Sequence, residues 1–272
     1  MTRANGQRSP CVTLLTDFGT ADGYVGALKG VLASLCPGVI IHDITHDVPP
    51  GDVLHGAFAL ATAAPLFPPG TIHLAVVDPG VGTSRRAVAV VTEAGTFVGP
   101  DNGLLSLAAR PPRRVFVLDR SDVFLESVSS TFHGRDVFAP VAARLAAGWP
   151  PDRIGTPAAD LMELELPKVA RCGGGVEGAV IHCDRFGNLI TNLREADLPE
   201  AAGEVSVEIA GHRIAGISRT YGDRAPGELL ALFGSLGFLE IAVSKGAAAA
   251  RLGVSRGAAV RVFAGATSRN QA

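Results

Sequence analysis

The chain has 272 residues, 47% of them hydrophobic and 18% charged, with a formal net charge of −2 at pH 7. Such a composition can bury a large core in one big domain or two, and without any Lys/Arg run it offers no basic field to nucleic acid or anionic lipid. No stretch nears the roughly 18 consecutive apolar residues of a membrane span, and the polar start lacks a signal-peptide core, so a cytoplasmic protein is expected.

Residues 1–10 read as a flexible tail. Val12–Leu15 is a strand-type run ending in Thr16-Asp17-Phe18-Gly19-Thr20-Ala21-Asp22-Gly23. Tyr24–Leu35 has helical spacing through Val25, Leu28, Val31, Leu32 and Leu35, and Pro37-Gly38 stops it. Val39–Ile44 reads as the next strand, and Asp52 can cap a helix over Val53–Ala64. An apolar run then leads into Val77-Asp78-Pro79-Gly80-Val81-Gly82-Thr83-Ser84-Arg85-Arg86. This β-α-β-α-β order predicts a mainly parallel sheet with helices on its faces. Ala87–Thr92 and Thr96–Val98 continue the β pattern, Gly99–Gly103 makes a polar turn, and Leu104–Ala109 reads as a short helix. Val115–Leu118 is another strand, and Thr131-Phe132-His133-Gly134-Arg135-Asp136 opens an apolar helix over Val137–Ala147.

From about Pro167 the texture changes to short alternating runs, after a linker or tight loop at Cys172–Gly175. Short, closely spaced strands predict a small antiparallel barrel or sandwich. The expected organisation is an N-terminal α/β domain over residues 11–168 and a C-terminal β-barrel domain over residues 175–265.

Asp78 ends an apolar run, where open α/β sheets place their ligands, and the turn after it can fold Arg85 or Arg86 back towards the acid. An ion pair that merely closes a hairpin is the plainer alternative. Asp17 ends the first strand, where a carboxylate can accept both hydroxyls of a ribose or simply serve the turn. His133 can project from a helix N-terminus into a cleft. His42, Asp43, His46, Asp47 and His55 form the tempting metal cluster of a phosphohydrolase. His42 and Asp43 are neighbours on one strand, however, and point to opposite faces. Cys11, Cys36, Cys172 and Cys183 have no C-x-x-C spacing, which argues against zinc ribbons and redox motifs. In the second half, Asp184-Arg185-Phe186-Gly187-Asn188 and Gly234–Glu240 suit turns between strands.

Six stretches together resemble one family, the S-adenosylmethionine hydroxide adenosyltransferases, relatives of the fluorinases and chlorinases. They are Thr16–Gly26, Val77–Arg86, Gly99–Leu105, Thr131–Pro140, Asp184–Asn192 and Gly234–Val243, in order along nearly the whole chain. The resemblance implies hydrolysis of S-adenosylmethionine to adenosine and methionine, without metal or cofactor, in a homotrimer with active sites between neighbouring subunits. It assigns water handling to Asp78, Arg85 and His133. To substrate binding it assigns Asp17, Asp22, Gly23, Tyr24, Asp184, Asn188, Ser235, Glu240 and the backbone at Val243, with Asp17 on the ribose diol and Asp184 at the methionine end. The chain departs from the family pattern at Ser244-Lys245, where an asparagine-containing turn is more usual. The competing readings are a metal-dependent phosphohydrolase and a nucleoside-binding module without turnover.

Overall fold

The computed structural model describes residues 9–199 and 205–264. It divides into two compact units, residues 1–164 and 165–272. Of the tail expected over residues 1–10, residues 1–8 lie outside the described residues, while the Pro10 carbonyl accepts a hydrogen bond from Ile40 N.

The first unit runs β1 (Cys11–Thr16), α1 (Tyr24–Leu35), β2 (Ile40–Thr45), α2 (Val53–Ala63), β3 (Thr71–Val76), β4 (Ala87–Val91), β5 (Gly95–Pro100), β6 (Arg114–Val117), α3 (Ala139–Ala146) and β7 (Thr156–Ala158). Its seven-stranded sheet has the order β2-β1-β3-β5-β4-β6-β7. The pairs among β1, β2, β3 and β5 are parallel, and β4, β6 and β7 join antiparallel, so the sheet is mixed. The change of direction follows from the short β4–β5 connection, which is long enough for a hairpin but not for a crossover. Helix α1 buries Val25, Leu28 and Leu32, one stripe of its apolar spacing. Helix α2 starts where Asp52 accepts from His55 N at 3.1 Å.

Leu104–Ala109 is not a helix. Its apolar spacing imitates one, but Leu104 N is taken by the Asn102 side chain and the bonds that follow make separate turns. The segment expected as one helix after His133 begins instead as a π-helical turn, Gly134–Phe138, and becomes α3 only at Ala139.

One buried histidine sits in this sheet unannounced by any motif. His73, in β3, is 1% exposed, stacks on Phe97 at 4.8 Å and shares a 2.8 Å hydrogen bond with Thr13 Oγ1. Burial lowers its pKa to about 4. Because the unfolded chain binds the proton near pH 6.5, this residue's contribution is complete above that pH and is lost as pH falls through 4. The loss amounts to about 3 kcal/mol. Urea midpoints measured at pH 7 and pH 4 should therefore fall less in His73→Leu than in the unsubstituted chain; equal falls would contradict this assignment.

The second unit runs β8 (Ala170–Cys172), β9 (Gly175–Cys183), β10 (Leu189–Arg194), β11 (Val205–Ile209), β12 (His212–Ala215), β13 (Leu229–Phe233), β14 (Phe238–Val243), α4 (Ala248–Leu252) and β15 (Ala259–Ala264). Every pair is antiparallel, in the order β12-β11-β15-β9-β10-β14-β13, with β8 added to β9. This is a nearly closed, barrel-like sheet around Val176, Val180, Leu193, Val207, Leu239, Ile241 and Val260. Cys172–Gly175 is a tight β8–β9 hairpin and not a linker, since Cys172 pairs with Gly175. Lys245 has φ +54°, a left-handed conformation that asparagine adopts more easily. The lysine thus occupies the strained position of a tight turn.

Candidate active site

Asp78 follows β3 by two residues, and its chain then folds back through consecutive turns: Val81 N donates to Asp78 O and Thr83 N to Gly80 O. The reversal brings Arg85 onto Asp78. Arg85 Nε lies 2.9 Å and 3.0 Å from the two carboxylate oxygens, and Nη2 lies 2.5 Å from Oδ2. The pair is nearly closed off from water, with side-chain exposures of 5% for Asp78 and 11% for Arg85. Arg85 also lies over the Phe138 ring, 5.2 Å from its centroid. Arg86 goes elsewhere, to Asp101 and Asp160.

His133 comes from 48 residues further on and meets the same guanidinium, Nδ1 to Arg85 Nη2 at 2.9 Å. Arginine can only donate, so Nδ1 accepts, and in the neutral ring the proton sits on Nε2. Burial and then the Arg85 charge lower the His133 pKa, against the opposing pull of Asp78 and Asp136. The ring is thereby held neutral under physiological conditions.

Two features fix the His133 segment. The π-helical turn starts directly after it, and Asp136, 1% exposed, accepts from Ser129 N at 2.8 Å and pairs with Arg135. The loop bearing Asp78 is docked against it at Gly82. A Cβ there would lie 2.5 Å from the Ser130 carbonyl oxygen, at φ +77°. Gly82→Ala should therefore push the Asp78–Arg85 loop off His133. Turnover is expected to drop at least about tenfold with the fold intact, since small misplacements in a site cost that much. Steady-state kinetics beside a circular dichroism spectrum checks this, and wild-type turnover would refute it.

Asp78 and His133 line a cavity of about 260 Å³ with Asp17, Phe18, Gly51, Val76, Pro79, Val81, Thr131, Phe132 and Gly134. Asp17 lies just beyond β1, and its Oδ2 accepts from Gly51 N at 2.8 Å. Phe18, Tyr24 and Phe132 pack edge to face at centroid distances of 5.4–6.1 Å beside it. Tyr24 is half exposed at the first turn of α1; Asp22 and Gly23 are exposed just before it.

The histidine cluster does not assemble. Among the described residues, no group of three His, Cys, Asp or Glu side chains could hold a metal ion. His42 is exposed beside Phe67, Asp43 pairs with Lys29 at 2.7 Å, Asp47 is exposed, and His55 lies in the first turn of α2. His46 is instead a buried strut. Its Nδ1 is 2.8 Å from Thr16 Oγ1, its carbonyl accepts from Gly19 N, and its Nε2 is 3.1 Å from Asp43 Oδ1. It thereby holds both ends of the turn that carries Asp17.

In the second unit, Asp184 organises its own turn. Oδ1 accepts from Phe186 N and Asn188 N, and Oδ2 accepts from Asn188 Nδ2 at 2.9 Å. Glu240 has its pKa raised by burial and by the nearby Asp184 charge, a shift that a 2.9 Å hydrogen bond from Tyr221 Oη opposes. Tyr221 is pushed up to about 12, first by burial and then by Glu240. Sequence reasoning missed Tyr221, and no local spacing signals it. Ser235 is exposed in the β13–β14 turn, and the Val243 carbonyl accepts from Gly246 N at 3.0 Å. The second unit therefore gathers Asp184, Asn188 and Glu240 into one polar group, and Ser235 and Val243 lie at the two ends of β14.

Comparison with known proteins adds an independent line. Residues 12–155 match the SAM hydroxide adenosyltransferase N-terminal domain model and residues 178–261 the C-terminal domain model. A Salinispora tropica protein named (R)-S-adenosyl-L-methionine hydrolase is 46% identical, over 94% of this chain and 99% of its own length. A Thermus thermophilus protein of the same name is 45% identical, over 93% and 99%. Among solved structures, an uncharacterized conserved protein from Thermotoga maritima superposes with a TM-score of 0.83 at 36% identity, covering 93% of this chain and 99% of its own.

Proposed function

The chain belongs to the SAM hydroxide adenosyltransferase family, and from that premise we propose that it hydrolyses S-adenosyl-L-methionine to adenosine and L-methionine. The observation that carries the proposal is the Asp78–Arg85–His133 cluster, two members of which line one cavity with Asp17. The electrophile is the C5′ carbon bearing a sulfonium. The departing thioether is neutral and asks for no acid, so the burden falls on water. Free hydroxide at pH 7 lies roughly 12 kcal/mol uphill, from a water pKa near 15.7.

The three side chains divide that task. His133 Nδ1 is occupied by Arg85, so its remaining polar atom, Nε2–H, can only donate. Asp78 keeps free lone pairs beyond those facing Arg85, which makes it the group that accepts the water's hydrogen bond and its proton. Arg85 stabilises hydroxide character as it develops, from a position that needs no rearrangement. Asp17 takes the ribose diol, and in-line alignment of the water with the C5′–S bond supplies much of the remaining rate. Asp22, Gly23 and Tyr24 flank the substrate, and Asp184, Asn188, Ser235, Glu240 and Val243 supply its other contacts. The reading includes a cytoplasmic homotrimer whose neighbouring subunits share each substrate; among the described residues, no helix is long and apolar enough to cross a membrane.

Incubating the purified chain with S-adenosylmethionine and resolving the products by chromatography tests the reaction. Adenosine and methionine in equal amounts are expected. Unchanged substrate would overturn the reading, leaving at most a binding module.

A further inference from the structure

We infer that Asp101 and Asn102 are positioning residues for the Asp78–Arg85 pair, closing the base of the loop that carries both. The inference rests on the hydrolytic reading of that pair. The Asp78 loop leaves the sheet after Val77 and returns at Arg86, and each of these residues is held from the end of β5. Asn102 Nδ2 donates to the Val77 carbonyl at 2.9 Å, and Asp101 N donates to the Arg86 carbonyl at 3.0 Å. The Asp101 carboxylate, 2% exposed, accepts from Arg86 Nε at 2.7 Å and from Met162 N at 2.8 Å.

Two consequences follow. The peptide directly before Asp78 is bonded to a side chain that is itself fixed, because Asn102 Oδ1 accepts from Leu104 N at 3.1 Å. The two adjacent arginines are also sorted: a buried acid claims Arg86, leaving Arg85 alone to face Asp78 and His133. Beyond its base the loop is held by its own turns, by Gly82 against Ser130, and by the contacts of Arg85 with His133 and Phe138, which the base brings into place. Its geometry is therefore decided at the base, where a shift of about 1 Å can cost a hundredfold in rate without touching substrate contacts.

The discriminating variant is Asn102→Asp, which keeps the acceptor for Leu104 N but has no donor for Val77 O. Asn102→Ala, which loses both bonds, is the second variant. With S-adenosylmethionine as substrate, kcat of both is expected to fall about 10- to 100-fold while KM stays within about threefold. A kcat within twofold of the unsubstituted chain, or a KM that rises as much as kcat falls, would overturn the inference. Should the unsubstituted chain release no adenosine, the hydrolytic reading fails by itself. The clamp is then judged from the His133 ring resonances, which sense Arg85 at 2.9 Å. They shift in Asn102→Asp if the clamp positions Arg85, and unchanged resonances overturn it.

Discussion

Asp78→Asn is expected to lower kcat about a thousandfold while the calorimetric affinity for S-adenosylmethionine changes less than threefold. The amide keeps the size of the carboxylate but removes the proton acceptor, and it turns one face of the group into a donor aimed at Arg85. General-base help is worth about 10²–10⁴ in rate, and misaiming Arg85 removes part of what a donor preorganised towards a developing anion supplies. His133→Ala should lose less, about a hundredfold, because it removes the partner that orients Arg85 Nη2. Both losses must appear in kcat. Equal losses in binding would make these residues part of a substrate cradle, with no share in the chemical step.

In high chloride, the chain is expected to release adenosine and less than about one part in a thousand of 5′-chloroadenosine. The argument is Coulombic. A carboxylate about 4 Å from a bound anion costs on the order of 4 kcal/mol at an effective dielectric of 20, roughly a thousandfold in occupancy. Asp78 is buried enough for that penalty to persist, and chloride, unlike the attacking water, has no proton to give up to it. Water, being neutral and a hydrogen-bond donor, suffers none of this. Product chromatography at increasing chloride checks the expectation, and 5′-chloroadenosine as the main product would contradict it.

How much of this was legible in the sequence depended on whether a feature was local. The stripe of Val25, Leu28 and Leu32 foretold α1 and its buried face, and Asp52 foretold the start of α2. The same reasoning failed at Leu104–Ala109, where an apolar pattern of helical spacing is overruled by the Asn102 side chain bonded to Leu104 N. The β-α-β order foretold the parallel strands β2-β1-β3-β5, while the antiparallel pairing of β4 with β5 has no strong turn signature at residues 92–94.

At the site, the Asp–Arg return was visible as a possibility from the residues, and only the family resemblance selected Arg85 of the two arginines. That choice is made by Asp101, 15 residues away. The meeting of Arg85 with His133 spans 48 residues and has no periodicity to betray it; only the ordered set of motifs pointed there. For the histidines, strand alternation already spoke against a shared metal site. His42, His46 and His55 lie close in sequence and looked like ligands, yet His46 is bonded to Thr16 and the others diverge. Proximity along the chain is poor evidence for a shared site when strand alternation sends neighbours to opposite faces.

In the proposed reaction, water held at Asp78 attacks the C5′ carbon. Turnover of S-adenosylmethionine in ¹⁸O-labelled water, followed by mass spectrometry of the adenosine, tests it most directly. One labelled oxygen is expected at the 5′ position of every adenosine released. Adenosine without label at the 5′ oxygen would contradict it.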